Sequence, residues 1–290
     1  MALTSTSVEV LPASTPPETT YSLAGAWGFV GVLLLTFFGG SVVSLGLALA
    51  LGHPTSESFL TFVGYTIPFL LYAWYLKRKG LLSELLAAVS RWQPGPLLLY
   101  PLLVLLVPSI QVVIEPVTSL IPMPESVKEM FLSRLGGGDL FTVLTVVVAA
   151  PVLEEVVLRG QLLRSLLHKY SAAKAITWSS IMFAVIHMNP WQGVGAFVLG
   201  LFLGWIYYRT RSLWACIFFH FVNNLFSTVM IQLMPEGADK FATLYEQVGD
   251  ATAYTLIYGA AVVVLLAVIV CMSRTFKGLG EEAELVKESC

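Results

Sequence analysis

The stretch that decides the fold is APVLEEVVLRGQLL, residues 150–163, where two adjacent glutamates and an arginine interrupt what otherwise reads as membrane-spanning hydrocarbon. The surrounding chain makes that reading firm. Of its 290 residues, 57% are hydrophobic and 12% charged, whereas a soluble domain carries about a quarter charged residues. Runs such as WGFVGVLLLTFFGGSVVSLGLALAL and AVVVLLAVIVCM are long enough, or nearly so, to cross a bilayer. The fold class expected is therefore all-α: a polytopic membrane protein whose first partner is the lipid bilayer. With a net charge of −2 and no dense basic block, nucleic acid is not an expected partner.

Working outward from residue 150, hydropathy predicts about eight spans, near 25–52, 57–76, 96–115, 140–164, 175–188, 192–208, 212–233 and 251–272. The fifth and sixth are short and meet at MNPW, which suits a tight helical hairpin. One membrane-embedded domain over 23–273 is expected, flanked by a disordered tail at 1–22 and a second tail at 274–290. The first twenty residues are rich in Ser, Thr and Pro and lack both the basic and the apolar region of a signal peptide. Cys216, Cys271 and Cys290 are too scattered for a disulfide framework or a CxxC metal site.

Loop charges orient the spans. Lys77, Arg78, Lys79, Arg91, Arg164, Lys169, Lys174, Arg209, Arg211, Arg274, Lys277 and Lys287 fall on one side, and only Lys128, Arg134 and Lys240 on the other. Twelve against three is a positive-inside pattern that puts both termini in the cytoplasm, with the plasma (inner) membrane as location. The loop PMPESVKEMFLSRLGGGD carries Val127, Met130, Phe131 and Leu135 at a spacing that fits either a short helix on the outer surface or a solvated connector.

Ionisable side chains inside spans are expensive and mark buried or water-lined sites. Here they are Glu154, Glu155 and Arg159 in span four, His187 at the end of span five and His220 in span seven, with Asn223 and Asn224 close by. Glu115, at the edge of span three, reads as a solvated helix end. At 1.5 Å per residue, Glu154 lies roughly 15 Å, His187 roughly 18 Å and His220 with Asn224 roughly 10 to 17 Å from the cytoplasmic ends of their helices. One shared polar site accounts for that common depth. Glu155 and Arg159 are four apart and can pair along one helix face, while Glu154 is turned about 100° away. A carboxylate left unpaired there suits a general base. His220 and Asn224 are also four apart and share a face, with Asn223 the weaker alternative. Gly160, Gly193, Gly195, Gly200 and Gly204 would let helices pack closely around the site.

Three short patterns now stand in order: EEVVLR at 154–159 as E-E-x-x-x-R, FAVIH at 183–187 as F-x-x-x-H, and HFVNN at 220–224 as H-x-x-x-N. Together, in an eight-span chain, they resemble the CPBP family, which comprises CAAX-processing proteases of the Rce1 type and related bacteriocin-processing or immunity proteins. The resemblance covers about 70 residues. It implies an intramembrane endopeptidase acting on a membrane-associated or lipidated peptide, its site opening toward the cytoplasm. In that reading Glu154 activates water, His187 helps to hold the water, His220 and Asn224 stabilise the oxyanion, and Glu155, Arg159 and Phe183 support the motif helices. No cofactor is expected; were zinc used instead, Glu154, His187 and His220 would be its ligands. Two other classes fit the same residues: a non-catalytic membrane immunity or partner protein, and a proton-coupled transporter. The lack of repeat symmetry counts against the transporter.

Overall fold

The computed structural model describes residues 20–51, 57–83, 95–135, 139–235 and 238–288. The expected tail at 1–22 lies almost wholly outside them, as do Arg91 and Cys290. Every regular element among the described residues is helical. Seven helices are long and apolar enough to span a membrane: α1 (Leu23–Leu51), α2 (Glu57–Arg78), α3 (Leu99–Thr118), α5 (Leu140–Lys169), α7 (Pro190–Thr210), α8 (Leu213–Leu233) and α10, apolar over Ala251–Lys277 and helical over Ala251–Glu288. The eighth expected span is α6 (Ala172–Ile186), apolar but only 15 residues long. At 1.5 Å per residue it covers about 22 Å, short of the ~30 Å hydrocarbon core. Two short helices, α4 (Glu125–Leu135) and α9 (Leu244–Val248), sit in the connections. The loop at 125–135 is thus a helix, with Phe131 packed on Phe241.

Burial ranks the helices. Within its most apolar window, 44% of α5 is buried against 11% of α1 and of α10, so α5 is the central helix and those two face outward. The exposed Leu35, Phe38, Leu45 and Leu49 of α1 are what a lipid-facing surface requires. Along the middle of α5, Val157 to Leu163 are all buried, and a helix apolar nearly all round belongs in such a position. Helix α2 packs on α1, α7 on α6, and α3 on both α8 and α10.

The α6–α7 hairpin forms at the expected MNPW turn. Met188 takes a left-handed φ of 55°, and Asn189 caps α7 by accepting from the Gln192 backbone N–H at 2.8 Å. Of the glycines expected to bring helices together, Gly200 and Gly204 do so: a Cβ there would lie 3.0 Å from Ser180 and 2.8 Å from Ile176. A Cβ on Gly195 would meet open space. Glu115 is a correction, since it is half-buried and its carboxylate accepts from the backbone N–H of Leu244 at the start of α9 (3.3 Å) rather than ending a helix in solvent.

Helix α5 is not a uniform α-helix. An α-helical turn (Leu140–Val143) gives way to a π-helical stretch (Leu144–Ala149), then to an α-helical segment (Ala150–Glu155), a second π-helical stretch (Val156–Leu163) and a final α-helical turn (Arg164–Lys169). Pro151 explains part of this. The N–H of Ala150 reaches back five residues to the Thr145 carbonyl, and the donor next in that register would be residue 151, which as proline has none. The Val146 carbonyl is therefore left over by the helix, and its partner comes from α8.

Candidate active site

The two glutamates of LEEVVLR occupy the short α-helical segment between the π-helical stretches, and their surroundings differ. Glu155 is fully buried. Its Oε1 accepts from Arg159 Nη1 at 2.7 Å and from His220 Nδ1 at 2.8 Å. The pairing with Arg159 that the four-residue spacing predicts is present, and α8 adds a third member. A carboxylate only accepts, so His220 carries its proton on Nδ1 and turns Nε2 the other way.

Nε2 of His220 points toward Glu154, 3.9 Å from its Oε2. Glu154 is 8% exposed. Its Oε1 accepts from the Tyr65 hydroxyl of α2 at 2.5 Å, while Oε2 has no hydrogen-bond partner among the described residues. The expectation of a wholly unpaired Glu154 is thus corrected: one oxygen is held and the other is available. Among the described residues, Glu155 Oε2 and Arg159 Nε and Nη2 are also buried without a partner. Four such atoms in one cluster are unusual in a protein interior, where most buried polar atoms are bonded.

Phe183 ties the remaining motif residues to this cluster. Its ring is fully buried, lies 4.5 Å under the Arg159 guanidinium, and makes edge contacts with the rings of His187 (4.9 Å between centroids) and His220 (5.8 Å). The cation–π contact compensates the guanidinium where hydrogen bonds do not. His187 closes α6, and its Nδ1 donates to the Phe183 carbonyl at 2.8 Å, leaving Nε2 as the acceptor. His187 therefore joins the group through Phe183 rather than through Glu154.

Asn224 lies one turn beyond His220 on α8. Its amide donates to the Val146 carbonyl at 2.8 Å, the group that Pro151 leaves without a backbone donor. Its Oδ1 accepts from Asn223, whose own Oδ1 accepts from Gln111 of α3 at 2.9 Å. Asn223, the weaker alternative, thus links Asn224 to α3.

Tyr65, Gln111, Tyr72 and Gln161 escaped the sequence reading. Gln161 accepts from the Tyr72 hydroxyl at 2.9 Å and donates to the Tyr21 hydroxyl at 3.2 Å. Gln111 and Gln161 are the single amide side chains of their spans, a signal that a search confined to ionisable groups passes over. The two tyrosines had no comparable mark among the 11 in the chain.

For the zinc alternative, His220 and His187 engage Nδ1 with Glu155 and with the Phe183 carbonyl, which leaves each Nε2 to face a ligand, as metal-bound histidines do; among the described residues no group of three His, Cys, Asp or Glu side chains is placed together to hold a metal ion.

Comparison with known proteins converges on the same segment. Residues 136–226 match the family described as type II CAAX prenyl endopeptidase Rce1-like. Over 88 residues the chain is 30% identical to a Bacillus subtilis (strain 168) protein named "Putative membrane peptidase YdiL". That alignment covers 30% of this chain and 36% of the relative, so the chain matches well under two thirds of the relative's length. No solved structure matches the chain. The matched segment runs from the start of α5 to the Asn224 turn of α8 and holds all three motifs, so over this segment the chain is similar to Rce1-type members of the CPBP family.

Proposed function

We propose that the protein is an intramembrane endopeptidase that hydrolyses a peptide bond of a membrane-associated or lipidated substrate, with Glu154 as the general base. The observation that carries this reading is the asymmetry of Glu154: Oε1 fixed by Tyr65, Oε2 unbonded and 3.9 Å from His220 Nε2, inside the segment that matches a peptidase family. A general base must reach a water at hydrogen-bond distance and retain a free lone pair. Oε2 retains that lone pair, and in this reading the water enters beside it, toward His220 Nε2.

In this reading Glu154 takes one proton from water through Oε2, and the resulting hydroxide attacks the scissile carbonyl carbon. The carbonyl π electrons pass to oxygen, whose negative charge needs donors. His220 serves as one donor when it is an imidazolium: Nδ1–H remains on Glu155, which balances the charge, and Nε2–H faces the reaction. Asn224 has one amide hydrogen on Val146 and a second that supports the same role. As the C–N bond breaks, Glu154 returns its proton to the leaving amine. His187, with Nε2 as an acceptor, is suited to orient the water. Glu155, Arg159 and Phe183 keep His220 in place.

The distribution of Lys and Arg supports a site opening to the cytoplasm and placement in the plasma membrane. The family description supports a prenylated C-a-a-X peptide as the first substrate to try. The test is a comparison of membrane proteomes from cells carrying wild type or Glu154→Gln, together with cleavage of a farnesylated peptide probe by both purified proteins. A peptide released by wild type alone is the expected result. Equal release by both, or full biological activity of Glu154→Gln with no cleavage, would replace this reading with the non-catalytic partner; substrate-driven proton flux in liposomes would favour the transporter. Chelators should leave cleavage unchanged, and loss restored by zinc would overturn the metal-free mechanism.

A further inference from the structure

The hydrogen bond from Tyr65 to Glu154 reaches the centre of the site from α2, a helix outside the segment that matches the peptidase family. Three features show that it is built into the fold. The Tyr65 ring is held between Phe37 of α1, edge-on at 6.1 Å, and Phe69 of α2 at 5.6 Å, so its direction is fixed by packing. One level along, Tyr72 donates to Gln161 at the same sequence offset of 89 residues. Helices α2 and α5 therefore run in parallel register, and the phenol is placed by two contacts rather than one. Finally, Glu154 Oε1 accepts from this hydroxyl while Oε2 accepts from nothing among the described residues.

We infer that Tyr65 is a positioning residue for Glu154: it immobilises Oε1 so that Oε2 alone is presented to water and to His220. This rests on the protease reading for its consequence in catalysis, but the bond itself can be tested separately. A carboxylate without this anchor samples a broad range of its terminal torsion, and the oxygen facing the reaction is no longer held at one angle. Holding a reacting group at one angle is worth far more in the transition state than in substrate binding. The contribution therefore falls on kcat.

The test uses the full-length protein and Tyr65→Phe, which keeps the ring and its packing and removes only the oxygen. With the farnesylated peptide probe, kcat should fall about tenfold or more while KM stays within about twofold, and the thermal midpoint should stay near that of wild type. In parallel, the infrared difference between wild type and Glu154→Gln isolates the Glu154 carboxyl bands, and those bands should move in frequency in Tyr65→Phe. Unchanged kcat, or bands that stay where they are, would overturn the inference. A matching loss in Tyr65→Phe and Phe37→Leu accompanied by equal loss of thermal stability would reduce Tyr65 to packing. Should wild type leave the probe intact, the protease reading with this substrate class fails, while the infrared result still decides whether Tyr65 holds Glu154.

Discussion

Two polar layers cross the centre of this membrane protein, and both are made by α2 reaching α5 with a tyrosine. In one, Tyr72 meets Gln161 and Tyr21 completes it. In the other, Tyr65 meets Glu154, with Glu155, Arg159 and His220 alongside. The first is neutral, and both functional atoms of its amide are bonded. The second carries formal charges and leaves Glu154 Oε2, Glu155 Oε2 and Arg159 Nε and Nη2 without partners among the described residues. A buried network that is satisfied fixes a structure, and one left open at chosen atoms has something else to bind. The same helix pair thus provides its own control: two layers of similar construction, one closed and one open.

That contrast can be broken from either side. The largest effect belongs to the open layer: Glu154→Gln should lower cleavage of the probe by about a hundredfold to ten-thousandfold, with the protein still folded by its thermal midpoint. Arg159→Met comes next. It strips the fully buried Glu155 of its guanidinium, and breaking a buried pair in this way costs about 3–5 kcal/mol. Thermal unfolding in detergent should show the loss, and an unchanged midpoint would mean that the pair is not what holds the layer. In the closed layer, Gln161→Leu removes the acceptor of the buried Tyr72 hydroxyl, at about 1–3 kcal/mol. Turnover per folded molecule should match wild type; a selective loss of kcat would make the second layer part of the site.

Asn224 gives the smallest and most discriminating effect. Removing its amide in Asn224→Ala leaves the Val146 carbonyl bare, at a cost of about 1 kcal/mol. Pro151→Ala restores a backbone N–H at the register position that carbonyl lacks, so the stability cost of Asn224→Ala should shrink in that background. If stability recovers and cleavage does not, the amide has a catalytic use beyond completing α5. A double-mutant cycle with no coupling would dissociate the two residues.

The spans were legible in the sequence from hydropathy, and the open layer's charges because ionised groups in hydrocarbon are rare enough to stand out singly. The EE pair with Arg159, His187 and His220 came from the second signal, and the MNPW turn from two short neighbouring spans. Tyr65 and Tyr72 did not, because a tyrosine in a membrane helix reads as an ordinary aromatic until the helix opposite is known. The π-helical stretches were also hidden. Pro151 signals a break, but whether a helix bridges it by widening depends on who supplies the missing donor, and that donor is 73 residues later in the chain at Asn224. Likewise, the separation of Glu154 from Glu155 followed from helical geometry, whereas the attachment of His220 to Glu155 required the packing of α8 on α5.

The carbonyl at Val146 has a consequence for biosynthesis. When α5 leaves the ribosome, α8 has not yet been made, and a backbone acceptor left bare in lipid is unfavourable. In the π-helical register the donor comes from Asn224 of α8, and the docking that brings it also delivers His220 to Glu155. The central helix and the polar cluster therefore reach their final form in one event, late in translation, and a nascent chain cut short before residue 220 has neither.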